Sequence, residues 1–347
     1  MKIHELQKHI QHPILITDER MIAYLIHQRF HVSERFIGLL IKKDEIKLYL
    51  NNLFPTNLTE IEIIRFDDTE DPIKMLNQDL KSDILYIDKN MHAGFLIKLI
   101  KYSPLLKIEI DETCDKFRSI KDSNEINKMR QASLINDQAM DKVKSHIKEG
   151  MTELELASLI PTIFHSLGAQ STSFTPIVAF GKNTSDPHAI PGDTKLEKGM
   201  PIIVDMGCVY EGYCSDMTRS FFFHHNSLND IYDVVRRANL AAIQMVKPGI
   251  PLKDIDHAAR SVIKDAGFGE YFIHRTGHGI GQEVHEPYDV SSTSEHIAQV
   301  GMIFSIEPGI YLPNKGGIRI EDLVLVTETG CEVLNHYSKD LQILKDA

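Results

Sequence analysis

The 347-residue sequence predicts an α+β protein in two parts, a small N-terminal α/β domain over residues 1–118 and a larger mixed domain over 119–347. Three observations carry this reading. Up to about residue 117, short runs rich in Ile and Leu alternate with amphipathic helical stretches. A long helical period follows, and from Pro176 onward the pattern changes to strands and turns. Hydrophobic residues make up 42% of the chain, enough to fill two cores at this length.

The strand-like runs of the first part are 13–17, 36–41, 46–50, 61–66, 83–88 and 105–110, with helices expected over 18–29, 71–80 and 92–101. In the second part Ser123 is placed to cap a long helix, with Glu125 in its first turn. Apolar positions from Ile126 to Ile147 keep the helical period, and Gly150 is expected to stop it. Thr152 and Glu155 form a capping box for the next helix, which Pro161 should bend or shorten. Two further helical blocks, 229–245 and 253–266, interrupt the strand-rich remainder.

A net charge of −11 argues against nucleic acid or an anionic membrane as partner. The first twenty-five residues are broken by Lys2, Glu5, Lys8, Asp18, Glu19 and Arg20, so no signal-peptide core is expected. No apolar run approaches the length needed to span a bilayer. The four cysteines form no CxxC pair, which speaks against a thiolate zinc site and fits reduced thiols in the cytoplasm.

The chemistry-bearing residues fall in two hairpins and one loop. Folding the chain about 210–212 sets Asp205 roughly opposite Asp216, and folding it about Pro313-Asn314-Lys315 sets Glu307 opposite Glu321. Asp205 and Glu307 sit in apolar runs, so each pair brings like charges together in a buried sheet, which is unfavourable without something positive nearby. A pair of divalent cations would offset them. Taken singly the pieces are weak: Asp-Met-Gly and Glu-Pro-Gly are turn signals, and His278 between Gly277 and Gly279 reads equally well as a loop histidine in close backbone packing. Their conjunction in one domain is the informative feature.

That conjunction resembles a known family. Asp205 with Asp216-Met217-Thr218-Arg219, then His274-Arg275-Thr276-Gly277-His278-Gly279-Ile280-Gly281, Ile306-Glu307-Pro308-Gly309 and Arg319-Ile320-Glu321-Asp322 look like the creatinase/aminopeptidase ("pita-bread") metallopeptidases. The group includes X-Pro dipeptidases, X-Pro aminopeptidases and methionine aminopeptidases, and the resemblance covers roughly residues 120–335. The preceding α/β domain resembles that of bacterial prolidase-type members, which methionine aminopeptidases normally lack. The resemblance implies that Asp205 chelates one metal, Asp216 and Glu321 bridge two, and His278 and Glu307 bind the second. Four carboxylates and one imidazole suit Mn²⁺ first, with Co²⁺, Fe²⁺ or Zn²⁺ as alternatives.

The function so implied is hydrolysis of X-Pro peptide bonds, dipeptides favoured, by attack of a metal-bridging hydroxide with Glu307 shuttling a proton. His188 resembles the family's histidine at the scissile region, and His285 the one that steadies the oxyanion. Arg319, two residues before Glu321, is placed to orient a carboxylate. No Lys or Arg occurs between Glu286 and Val300 to hold a substrate's C-terminal carboxylate. Arg319, the N-terminal domain or a partner subunit would then supply that cation; otherwise longer peptides are accepted, as by an X-Pro aminopeptidase. A non-catalytic binding module or a creatinase-like enzyme is disfavoured by the complete ligand set. The resemblance also implies a homodimer.

Overall fold

The computed structural model describes residues 1–225 and 228–345. It divides into two compact units, Met1–Arg118 and Ser119–Ala347. Among the described residues no helix is long and apolar enough to cross a membrane.

In the first unit, strands β1 (Ile14–Ile16), β2 (Ile37–Ile41), β3 (Ile46–Asn51), β4 (Glu62–Phe66), β5 (Ile84–Ile87) and β6 (Lys107–Ile110) form one sheet in the order β4-β3-β2-β1-β5-β6. Helices α1 (Ile3–Gln7), α2 (Glu19–Ile26), α3 (Pro72–Asp79), α4 (Ala93–Tyr102) and α5 (Thr113–Ser119) accompany it. Side chains alternate across a strand, so Ile14, Ile16, Leu39 and Ile41 fill one apolar cluster while Leu15 and Leu40 fill another. Both faces are buried, which explains the near-continuous Ile and Leu content. Asp18 and Asp71 cap α2 and α3 through their side chains. The helix expected to reach residue 29 ends at Ile26, where His27 takes a left-handed φ of 58°.

The second unit holds strands β7 (Ser171–Thr172), β8 (Ile177–Phe180), β9 (Pro201–Met206), β10 (Cys208–Tyr210), β11 (Tyr213–Cys214), β12 (Met217–Phe223) and β13 (Gly277–Gly279). Seven more follow: β14 (Glu286–Val290), β15 (Ile303–Ile306), β16 (Gly309–Leu312), β17 (Gly316–Arg319), β18 (Asp322–Val326), β19 (Cys331–Val333) and β20 (Ile343–Leu344). Helices α6 (Ser123–Ser145) and α7 (Glu153–Ser166) share a core with the sheet β20-β12-β9-β8. Helices α8 (Asn229–Met245) and α9 (Leu252–Asp265) share another with strands of β14-β13-β15-β18-β19 and the hairpin β16-β17.

Two local expectations are corrected, and a third is narrowed. Asp122, not Ser123, caps α6, because its carboxylate accepts the Asn124 and Glu125 amides while Glu125 returns a bond to the Asp122 amide. That helix ends at Ser145, before Gly150. Helix α7 is not shortened by Pro161: Leu156, Ala157, Ile160, Ile163 and Phe164 are buried on its core face, and that packing carries the helix past the missing amide.

Arg219 ties the strand systems together. It is 1% exposed, sits 2.7 Å from the Asp322 carboxylate, and donates to the carbonyls of Thr218, Glu321, Tyr337 and Ser338. Asp322 has a second cation in Lys339 at 2.8 Å. Replacing Arg219 by Met strips those carbonyls and half of the buried pairing, and is expected to lower stability by about 3 kcal/mol in urea unfolding. A loss below about 1 kcal/mol would assign the arginine no clamping role.

Candidate metal centre

The two hairpins deliver the four carboxylates by different registers. Strand β15 pairs Ile306 with Asp322, and β16 pairs Gly309 with Arg319 in the same register, so Glu307 stands directly across from Glu321. In the other hairpin β9 pairs Asp205 with Thr218, two residues from the expected partner Asp216. The reason is the turn. Glu211 and Gly212 both have positive φ, 45° and 81°, which makes a two-residue turn that centres the ladder one position later than sequence placed it. A shift of two positions in pairing preserves the face, so Asp205 and Asp216 remain on the same side of the sheet. Asp216 follows Ser215, whose amide bonds the Cys208 carbonyl and whose own carbonyl accepts from Ser173. A Cβ at Gly207 would collide with that carbonyl.

His278 reaches the same place from β13. A Cβ at Gly277 would strike the Ser305 carbonyl, and one at Gly279 the Pro287 carbonyl, so the glycines let this strand press against its neighbours. The His278 Nδ1 lies 3.1 Å from the Gly279 carbonyl, which assigns the proton to Nδ1 and leaves the Nε2 lone pair facing inward. That Nε2 is 3.8 Å from Asp216 Oδ2 and 3.6 Å from Glu307 Oε1. Asp216, His278 and Glu321 each offer a ligand atom, all within 4.8 Å of one another.

Half of this carboxylate set is held by the protein and half is not. Arg319 donates to Asp205 Oδ2 at 2.7 Å, and the Thr218 hydroxyl donates to Glu321 Oε2 at 2.7 Å. Asp205 Oδ1, Asp216 Oδ1 and Glu321 Oε1 are buried with no hydrogen-bond partner among the described residues. Unpartnered buried carboxylate oxygens are costly, and their convergence with a lone-pair imidazole nitrogen fits a bound cation.

The electrostatics agree. Burial, then the charges of Glu321, Asp205 and Glu307, raise Asp216 well above the ordinary carboxylate range. Burial, then Glu307 and Asp205, do the same to Glu321. Burial pushes Glu307 up to about 7, with Arg319 pulling against it and Asp205 adding to it. Burial and the neighbouring His285 hold His278 down at about 3, so its imidazole is neutral around pH 7.

The remaining expected residues are close by. The His285 ring stands perpendicular to that of His278, with centroids 4.3 Å apart. His188 is exposed, and its charge opposes protonation of both His285 and His274. Its loop is tied in through the Pro187 carbonyl, which accepts from Arg319 at 3.2 Å. Arg319 donates to the Asp205 carboxylate and, 2% exposed, also bonds Thr218 and Tyr311. Thr218, Tyr311 and the Tyr311–His274 bond at 2.8 Å were not picked out from sequence. Thr218 had a signal, since a polar residue two positions after Asp216 in an apolar strand shares its face.

The raised carboxyls set a pH dependence. A carboxyl whose folded pKa is raised makes the metal-free fold lose stability as pH climbs from the unfolded value to the folded one, because the native form then holds the extra proton. For Glu307 that window runs from 4.5 to about 7. The same proton competes with a cation, so the affinity of the metal-free protein for Mn²⁺ should rise at least about tenfold between about pH 5.5 and 7. Calorimetric titration reads this directly; a flat profile would contradict the carboxylate assignment.

Comparison with known proteins places the chain. Residues 127–328 match the model of metallopeptidase family M24. The chain is 38% identical over 339 residues to an uncharacterized peptidase of Staphylococcus aureus (strain bovine RF122 / ET3-1), covering 93% of this chain and 94% of that one. It is similar to the crystal structure of a dipeptidase from Pyrococcus horikoshii OT3, at 35% identity and a TM-score of 0.91, over 99% of this chain and 100% of the other. It is also similar to an Xaa-Pro dipeptidase from Bacillus anthracis, at 29% identity and a TM-score of 0.90, over 99% of each. The chain therefore belongs to metallopeptidase family M24 and is a hydrolase with that family's pita-bread catalytic domain.

Proposed function

We propose that this enzyme hydrolyses X-Pro dipeptides at a pair of divalent ions held by Asp205, Asp216, His278, Glu307 and Glu321, with Mn²⁺ as the native metal. The observation that carries the metal assignment is that Asp216, His278 and Glu321 each bring a ligand atom within 4.8 Å of the others, while Asp216 and Glu321 each keep one buried oxygen without a hydrogen-bond partner among the described residues. A set of four carboxylates and one imidazole favours Mn²⁺ on ligand type. The substrate class draws on the relatives named as a dipeptidase and an Xaa-Pro dipeptidase.

When bound, the ions supply Lewis acidity and lower the pKa of water, providing a nucleophile at neutral pH. The chain's own groups do the rest. Glu307 is the carboxylate with the most open side chain among those facing His278, which suits it to accept a proton at Oε1 and return it to the leaving nitrogen. His285, perpendicular to His278, is the donor for the developing oxyanion, and His188 faces the scissile region from the loop that Arg319 anchors. A proline nitrogen offers no N–H, so recognition rests on the carbonyl side and on ring shape.

With Mn²⁺ added, an X-Pro dipeptide should be cleaved faster than an X-Pro-X tripeptide. Cleavage of the tripeptide alone would reassign the enzyme as an X-Pro aminopeptidase. Asp216→Ala is expected to cost at least about a thousandfold in kcat, the scale of several kcal/mol of metal-derived stabilisation. Near-normal turnover in that variant would sink the ligand assignment.

A further inference from the structure

Beside the centre lies a buried ion pair that the reading above does not use. Lys121 Nζ is 3.0 Å from Glu286 Oε2, and both side chains are 1% exposed. Such a pair loses several kcal/mol of hydration per ion, and an apolar pair of similar volume often stabilises a fold equally well. What it supplies is position.

Its surroundings show what is positioned. Glu286 opens β14, directly after His285, and its other oxygen accepts the amides of Gln282 and Glu283 at 2.9 and 3.3 Å. The carboxylate lies against Gly281, where a Cβ would leave it no room. The whole turn from Gly281 to His285 is therefore folded around one carboxylate. His285 is the residue before Glu286, so fixing the Glu286 carboxylate fixes the backbone from which the His285 ring stands against His278. Lys121 is itself fixed: its amide donates to the Gly301 carbonyl at 2.9 Å, and Ile120 bridges to Met302 next to β15.

We propose that Lys121 and Glu286 are positioning residues that set the His285 ring against His278. The proposal rests on the reading of His285 as the oxyanion donor. The pair's contacts described here run to each other, to the Ser119 carbonyl and to the Gln282 and Glu283 amides, all outside the proposed ligand set, so its loss should leave metal loading intact.

The test is a coupling cycle on the Mn²⁺-loaded enzyme with K121M, K121R, H285A and the double variant K121M/H285A. K121M should lower kcat at least about tenfold while KM and bound metal change less than about twofold, with partial recovery in K121R. In the H285A background K121M should cost less than about a further twofold, because the two act as one unit. Amide exchange at Gln282 and Glu283 in the metal-free protein should speed up at least about tenfold in K121M, a readout independent of turnover. Should K121M fail to fold, E286Q takes its place in the same cycle. Additive losses in the double variant, or a kcat loss in proportion to lost metal, would overturn the positioning role alone. Wild-type turnover in H285A would instead remove the reading of His285, and this inference with it.

Discussion

Four buried carboxylates facing one another are the constraint around which the catalytic unit is arranged. Asp205, Asp216, Glu307 and Glu321 repel, and burial makes the repulsion stronger than it would be in water. Among the described residues the protein meets them with the Arg319 guanidinium and the hydroxyls of Thr218 and Ser305. These occupy the outer oxygens and leave the inner ones open. A fold that needed only stability would have paired or removed these charges. This one keeps all four and leaves an oxygen of Asp205, Asp216 and Glu321 buried without a hydrogen-bond partner among the described residues.

Holding that arrangement takes rigid backbone and little side-chain freedom. The glycines beside His278 let its strand approach the Ser305 and Pro287 carbonyls closely. Arg219 and Asp322, on the opposite face from Thr218 and Glu321, lock the two carboxylate hairpins to each other from behind. Helix α9 adds Asp256, which accepts the Thr276 amide and hydroxyl just before β13 and is held by Arg260 in a bidentate pair. Cations and dipoles at the back thus fix what must stay unsatisfied at the front.

Much of this was legible in the sequence where a local rule decided it. The Glu307–Glu321 register follows from a turn-rich tripeptide midway between them, and the structure has that turn with Asn314 at φ 61°. The Asp205–Asp216 register was misplaced by two because the turn uses Glu at a position that usually asks for Asn, Asp or Gly. Asp122 and Ser123 are both good caps, and only the reciprocal bond with Glu125 separates them. Arg319 could be assigned to a carboxylate, but which one depends on contacts over more than a hundred residues. The Lys121–Glu286 pair, 165 residues apart in sequence, leaves no local signature at all.

The central claim is that the unpartnered oxygens are cation ligands. Anomalous diffraction at the manganese edge, from crystals grown with Mn²⁺, tests it most directly. Two peaks enclosed by Asp205, Asp216, His278, Glu307 and Glu321 are the expected result. No peak among these residues, or ions bound only elsewhere on the chain, would contradict it.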